Sequence, residues 1–566
     1  MASAKETQPE STKSAITSSD KIRVYARIWA LHRILYFRAG GWAAGIGLPV
    51  LVELVEGSAL LFTLMTGSGM IASISIHFLA DFCVKMPFVW TSEWLSVQTD
   101  AAFLSFTLYH LWNSSKDGVS YDEKRWNDIS RAIRRITILF YFAAGFLKVN
   151  TSFLKPETSC SPIFLVQILT TYLPESMVAR IPAKLVATMS PTATLFAELS
   201  VPFFWMVGGD LQAYGTVLAL VFHGLIAICP PPLNFGTFSV CCVARIFTFH
   251  DDSITRAAKT VPSMVTPTTM IYASISVLLV YQAYLLGAAF PGGDKSVPVF
   301  VALCLLYGRA AFWYSNSSEK RKKANGLEES SVQIYLHKGL LVSALAWTFL
   351  LPTLGIIDMG SANMFSNLRV HGGTNHLVLP VGLLTPMLSG GGYVRVEKAS
   401  PSFAPELPGE LTPHMPEKTV EFLKEAGQTG RYFNPVEGKI VGRFVIPEGQ
   451  SFVPYTVPML ELKRYYQLTL EERVDFQFTY SILDGFHGDE TWRKESSAKR
   501  IRVTRTGGGK EEPECQVEIP NNASWRPCTE EEQLSKPHPI HAKLMAHLAY
   551  PILEDGEWDE LHCFGP

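Results

Sequence analysis

The stretch Tyr141-Phe-Ala-Ala-Gly-Phe-Leu-Lys148-Val-Asn150 is an apolar run that ends on a lysine. Read as a bilayer span, it holds an ionisable group at a depth where charge is expensive, which makes Lys148 a functional candidate. A lysine whose ammonium snorkels to the interface is the plain alternative. Both readings are open on this stretch alone, and the residues downstream favour the first.

Of the 566 residues, 48% are hydrophobic, 12% aromatic and 18% charged. Soluble domains carry roughly 25% charged residues, so the deficit points to a membrane protein. Long uncharged runs fill the chain up to about residue 355, and the remainder reads as ordinary globular sequence. A net charge of -2, with no basic patch interleaved with aromatics, excludes a nucleic-acid partner.

The expected fold is therefore an α-helical polytopic membrane domain of about nine spans followed by a β-rich lumenal or extracellular domain. Residues 1–24 are expected to be a disordered cytosolic tail, 25–358 the transmembrane domain, 359–397 a membrane-exit loop region and 398–566 a β-rich soluble domain. The first apolar run, residues 41–66, follows Lys21, Arg23, Arg27, Arg33 and Arg38, which places the N-terminus in the cytosol by the positive-inside rule. The basic loops 116–135 and 316–338 are assigned to the same side. Spans are predicted near residues 134–150, 186–208, 212–229, 235–250, 262–290, 296–314 and 338–357, with the region 70–112 and the short run 163–173 less regular. On this count Lys148 lies at the lumenal end of its span.

Two further titratable groups fall within apolar runs. Glu198 precedes Pro202 in one, and His223 sits in the next, ahead of Asn234. A lysine, a glutamate and a histidine in neighbouring membrane helices require either mutual neutralisation or chemistry. For Glu198 and His223 the plain alternative is an interhelical pair or hydrogen bond. His371 and His376 lack a third ligand at suitable spacing, so no metal is expected.

These residues, in the runs Phe142-Ala-Ala-Gly145-Phe-Leu-Lys148-Val-Asn150, Glu198 with Pro202, His223 to Phe238, and Asn363-Met-Phe-Ser-Asn367-Leu-Arg369-Val-His371-Gly-Gly-Thr-Asn-His376, carry a resemblance. Over residues 25–380 the chain resembles the vitamin K-dependent gamma-carboxylase family and the wider horizontally transferred transmembrane (HTTM) domain proteins. The resemblance implies a lyase-type enzyme of the endoplasmic reticulum or secretory-pathway membrane. It would couple oxidation of reduced vitamin K or another quinol, with O2 and CO2, to carboxylation of a glutamyl protein or peptide. Lys148 would be the base that deprotonates the quinol and His223 a donor to developing oxygen charge, both catalytic. Asn150, Glu198, Asn234, Asn367, Arg369, His371 and His376 would bind quinone or substrate. A lysine base needs its pKa brought down from about 10.4 by partial burial, which the end of an apolar helix offers. The alternative from another class is a transporter or lipid-handling protein in which Lys148, Glu198 and His223 form a proton or anion path.

From about residue 398 the sequence alternates polar and apolar residues at period two, as in Val474-Asp-Phe-Gln-Phe-Thr-Tyr-Ser-Ile-Leu483, which predicts a half-buried sheet. A helix is expected near residues 540–549. Cys160, Cys515, Cys528 and Cys563 fall on the proposed lumenal side and are disulfide candidates, whereas Cys83, Cys229, Cys241, Cys242 and Cys304 fall in apolar runs and suit plain packing. The sequon at Asn522 agrees with a lumenal domain.

Overall fold

The structure, a computed structural model, describes residues 16–36, 50–79, 91–113, 121–260 except 231, 232 and 234, 296–314, 330–354, 357, 361, 362, 366, 368 and 376–379. In the C-terminal part it describes 393–400, 408–410, 415–428, 433–435, 438–441, 444–447, 455–471, 473, 475–482, 499–508, 511–519, 524–539, 550 and 551.

The N-terminal region is helical. Its helices are α1 (Ser18–Tyr36), α2 (Val50–Thr66), α3 (Met70–Leu79), α4 (Thr91–Asn113), α5 (Tyr121–Leu147), α6 (Ser161–Tyr172), α7 (Ala183–Val207), α8 (Asp210–Ile228), α9 (Gly236–Ile246), α10 (Asp251–Thr260), α11 (Ser296–Tyr314) and α12 (Ser331–Leu345). Their starts follow local chemistry. The Thr17 hydroxyl accepts from the Asp20 amide while Asp20 accepts from the Thr17 amide, and Ser330 with Gln333 forms a capping box on α12. One continuous core runs through these helices, from Tyr25 and Trp29 of α1 through Phe103 and Phe106 of α4 to Val240 and Val243 of α9.

Two helical segments, Asp210–Ile228 of 19 residues and Ser331–Thr353 of 23, are long and apolar enough to cross a bilayer among the described residues. The expectation of about nine spans is thereby overturned. A hydropathy window scores apolar residues without knowing what they touch, and here the protein itself covers many of them. Helix α9 is only 11 residues long, and Val240, Cys241, Cys242 and Val243 on it are fully buried. Most of the run 134–150 is the apolar second half of α5, whose first half carries charge on every turn. Helix α4 holds Glu93 and Asp100 in its buried stretch. The run 262–290 lies outside the described residues.

Basic residues read as topology signals have a different use. Arg33 is buried and donates to the Asp100 carboxylate at 2.9 Å, and the Trp29 indole donates to the same carboxylate at 2.8 Å. Arg245 of α9 is fully buried and donates to Ser96 at 2.9 Å, Thr99 at 3.2 Å and His32 at 3.1 Å. This network fastens α1, α4 and α9 together.

The C-terminal sheet appears as expected, with helices added. A seven-stranded antiparallel sheet has the order β10-β9-β8-β7-β1-β6-β11. Its strands are β1 (Tyr393–Ser400), β6 (Tyr455–Pro458), β7 (Phe476–Ile482), β8 (Lys499–Arg505), β9 (Glu514–Glu518), β10 (Trp525–Pro527) and β11 (Tyr550–Pro551). Period-two alternation places Phe476, Phe478 and Tyr480 on the inner face, where Leu462 and Tyr465 of the helix Met459–Glu471 cover them. Two short strand pairs, β2 (Pro408–Glu410) with β3 (Phe433–Pro435) and β4 (Gly438–Val441) with β5 (Phe444–Pro447), lie before β6. The helix expected at 540–549 and the sequon asparagine at 522 lie outside the described residues.

Cys515 and Cys528 form a disulfide across 13 residues, joining β9 to the end of β10. Closing a loop of this length removes about 3 kcal/mol of chain entropy from the unfolded state. Replacing both cysteines by serine is expected to lower the stability of this sheet by about that amount, read as faster amide exchange across β8 and β9. Cys229, Cys241, Cys242 and Cys304 are free thiols.

Candidate functional site

Lys148 and Glu198 meet. The Lys148 ammonium donates to Glu198 Oε1 at 3.0 Å and lies 3.0 Å from Oε2, with both side chains buried. Local sequence brings the helices together. At Gly145, one turn before the lysine, an added Cβ would stand 2.8 Å from Leu199 Cδ2 and 3.3 Å from Glu198 Cβ. Any larger residue would have to push the Leu199 side chain aside, so glycine eases the close approach of α5 to α7. Pro202 has no N–H, so the Glu198 carbonyl four residues earlier loses its helical donor and α7 is disturbed where the carboxylate sits. Glu198 Oε2 has the Lys148 ammonium as an ion-pair neighbour and accepts no hydrogen bond from another described group. Gly145→Ala is expected to wedge α5 from α7 at a stability cost of about 1–3 kcal/mol, measured by chemical denaturation, and to weaken any ligand that uses the pair.

The pair lines a cavity of about 260 Å³ enclosed chiefly by α5, α6, α7 and α8. Ser190, Ala193, Thr194, Ala197 and Glu198 form its α7 wall, at the three-and-four spacing of one helix face. Phe140 and Ala144 line it from α5, Phe164 and Ile168 from α6, and Val221 and Leu225 from α8. Thr194 and Ser161 satisfy each other at 2.6 Å. The Ser190 hydroxyl is buried and has no hydrogen-bond partner. The site is thus a largely apolar cavity lined by an ion pair and, about two turns away along α7, by an unpaired hydroxyl.

His223 does not join this pair. Its Nε2 is hydrogen-bonded to the Tyr141 hydroxyl, its Nδ1 has no hydrogen-bond partner, and the ring packs against Phe238 and Phe222. His223 is absent from the cavity lining. Tyr141 precedes Lys148 by seven residues, about 10 Å along α5, so the expected Lys–Glu–His triad is a Lys–Glu pair and a separate Tyr–His pair.

Asn150 and His376 have structural roles. Asn150 Oδ1 caps the short helix Thr151–Leu154 by accepting from the Phe153 amide at 2.8 Å, and its Nδ2 donates to the carbonyls of Leu147 and Ser366. His376 Nε2 donates to the Phe146 carbonyl at 3.0 Å, which leaves Nδ1 to accept from the amides of Val378 and Leu379. The Leu377 amide in turn donates to the Val149 carbonyl at 3.0 Å. This clasp ties the end of α5 to the start of the C-terminal region. Asn234, Asn367, Arg369 and His371 lie outside the described residues. No group of three or more His, Cys, Asp or Glu residues is placed to hold a metal ion among the described residues.

Burial holds the His376 ring below the usual imidazole pKa, and its hydrogen bond to Phe146 opposes this only in part. The folded state therefore binds fewer protons at this ring than the unfolded chain. The clasp is expected to contribute fully above the unfolded value of about 6.5 and to be lost as pH falls through the lower folded value. Amide exchange at Leu377, corrected for intrinsic rate, should accelerate on acidification from neutral pH; a flat profile counts against the linkage.

Beside the cavity, the helix Glu417–Glu425 packs on α6 through Phe422 and Leu423. Thr419 and Thr170 share a hydrogen bond of 2.8 Å, and Gln428 donates to the carbonyls of Pro156 and Ser159. The C-terminal region thus buttresses the helix that forms one cavity wall.

Sequence reasoning missed Tyr141 and Ser190. The signal for Ser190 is the face Ser190, Ala193, Thr194, Ala197, Glu198, small residues at helical spacing that end on a carboxylate.

Residues 374–544 match a family described only as "Domain of unknown function (DUF8388)". No curated protein and no solved structure matches the chain. No match to the vitamin K-dependent gamma-carboxylase family or the HTTM proteins is found either, so that resemblance is overturned. Its physical reason is visible in the site: short motifs of Asn, His, Gly and Lys at helix ends recur because caps, clasps and close helix approaches need those residue types. What is similar to a known family is the region from the His376 clasp through β10 of the C-terminal sheet, and that family is described by no activity.

Proposed function

We propose that this chain is a membrane-embedded protein that binds a small, neutral, apolar ligand and exchanges hydrogen bonds, or a proton, with the ligand's oxygen at Lys148 and Glu198. The buried pair on the wall of an apolar cavity carries this reading. An ammonium and a carboxylate that neutralise each other suit a neutral hydroxyl better than an anion, which would compete with Glu198 for the lysine. The lysine offers donors, and Oε2, held only by the ion pair, keeps lone-pair capacity to accept; together they match one hydroxyl.

Membrane embedding is supported by the outer helix surfaces. Only 28% of the apolar window in Asp210–Ile228 and 17% of that in Ser331–Thr353 is buried by the protein, whereas the core helix of a soluble protein is mostly covered. Tyr335 is 72% exposed, Val342 64% and Phe196 65%, a surface that water disfavours and lipid accepts. Val221 and Leu225 of α8 line the cavity and remain exposed, so the α8 side of the ligand site is not sealed by further protein. The Cys515–Cys528 disulfide is consistent with an oxidising compartment for the C-terminal sheet.

Quinols fall within this ligand class. Carboxylation of a glutamyl substrate rested on the resemblance and is not carried forward with it. A continuous Lys–Glu–His proton path loses support because His223 is engaged by Tyr141.

The reading is tested with biphenyl and biphenyl-4-ol on the full-length protein in detergent, scored by ligand-induced thermal stabilisation. A preference for the alcohol of about tenfold, equivalent to about 1.4 kcal/mol, is expected, and Glu198→Gln should reduce it. Equal binding of the two probes, or binding of neither, would overturn it.

A further inference from the structure

A second polar feature of the cavity lies about two turns before Glu198 on α7. Ser190 is only 5% exposed, lines the cavity, and its hydroxyl has no hydrogen-bond partner in the protein. A buried hydroxyl left unpaired is unfavourable, and such groups persist where something else satisfies them. Thr194, between Ser190 and Glu198 on α7, is already paired with Ser161 and needs nothing from a ligand.

Ser190 and Glu198 stand on the same face of α7, eight residues apart, which separates them by about 12 Å along the helix. The wall between them presents Ala193 and Ala197, and Phe164 and Ile168 face it from α6. The cavity wall is therefore polar at these two places and apolar in between. Its 260 Å³ exceeds the roughly 150 Å³ cavity that holds benzene by enough for a second ring or a short chain.

We infer that the ligand is two-ended: a neutral, elongated molecule with an oxygen function at each end of an apolar body, one end held by Lys148 and Glu198 and the other by the Ser190 hydroxyl. This rests on the reading of the pair as a ligand site and adds the second anchor. Ser190 acts as a specificity residue, because its hydroxyl can donate or accept and so takes either a hydroxyl or a carbonyl, while an apolar end would leave it unpaired.

The test compares biphenyl-4-ol with biphenyl-4,4'-diol on the wild-type protein and on Ser190→Ala. The wild type should bind the diol about five- to tenfold more tightly than the mono-ol. Ser190→Ala should abolish that advantage and leave the mono-ol unchanged. Because the substitution removes only an unpaired hydroxyl, the variant should fold as the wild type does, checked by its melting temperature without ligand. If the mono-ol binds in a Glu198-dependent way but the diol gains nothing, the two-ended inference is overturned while the proposed function stands. If Ser190→Ala weakens both probes equally, Ser190 is a packing residue and the inference is likewise overturned. If no probe binds, the proposed function fails and this inference fails with it.

Discussion

Lys148→Met is expected to destabilise the helical region by about 3–5 kcal/mol, because it strands the Glu198 carboxylate in an apolar wall with no cation beside it. Adding Glu198→Leu should recover most of the loss, since replacing a whole buried pair by apolar groups of similar volume is close to neutral. The two single variants and the double variant form a cycle, measured by denaturant unfolding of the detergent-solubilised protein. A strongly unfavourable single and a near-native double would show that the pair is not required to hold α5 to α7. Its presence would then need a role such as ligand binding. If the double variant is as unstable as Lys148→Met, the pair is structural and the site reading weakens. In either background the preference for biphenyl-4-ol over biphenyl should vanish.

Asp100→Ala should be as severe, again about 3–5 kcal/mol, for a reason that has nothing to do with a ligand. Asp100 is 1% exposed and accepts from both Arg33 and the Trp29 indole. Arg245 adds a second fully buried guanidinium to the same neighbourhood, held by hydroxyls and His32. Removing the carboxylate leaves positive charge in the core of α1, α4 and α9 without its counter-charge. Asp100→Asn keeps the shape and one of the two acceptors, though its amide NH2 then faces a donor, and should cost less than the alanine. The expected readout is loss of folded protein after detergent extraction for the alanine variant, with partial retention for the asparagine. Equal yields of all three proteins would mean that the network adds little.

The Lys148 run shows how far the sequence could be read. That a lysine at the end of an apolar helix would need a partner follows from the expense of an isolated charge, and Glu198 was visible as a candidate because it too interrupts an apolar run. The alternation in β7 announced the C-terminal sheet, since a strand that buries one face must repeat at two. The number of spans was not legible. Hydropathy reports that a segment avoids water and is silent on whether protein or lipid replaces it, so the buried α9 and the exposed α12 look alike in one dimension. His223 misled for a related reason: any buried histidine in a helix needs a partner, and the sequence names none.

Sequence by itself determined that the first part of the chain is apolar and helical, that Lys148 and Glu198 are out of place in such surroundings, and that the last part forms an antiparallel sheet. These are properties of local composition and period. Tertiary structure alone decided that Gly145 lets α5 and α7 close on the pair, that Tyr141 takes His223 away from it, that Arg33 is a core residue paired with Asp100, and that Ser190 is left with an unpaired hydroxyl. Each of these depends on which side chains from distant positions meet. That is fixed by how the helices pack, and no window along the chain contains it.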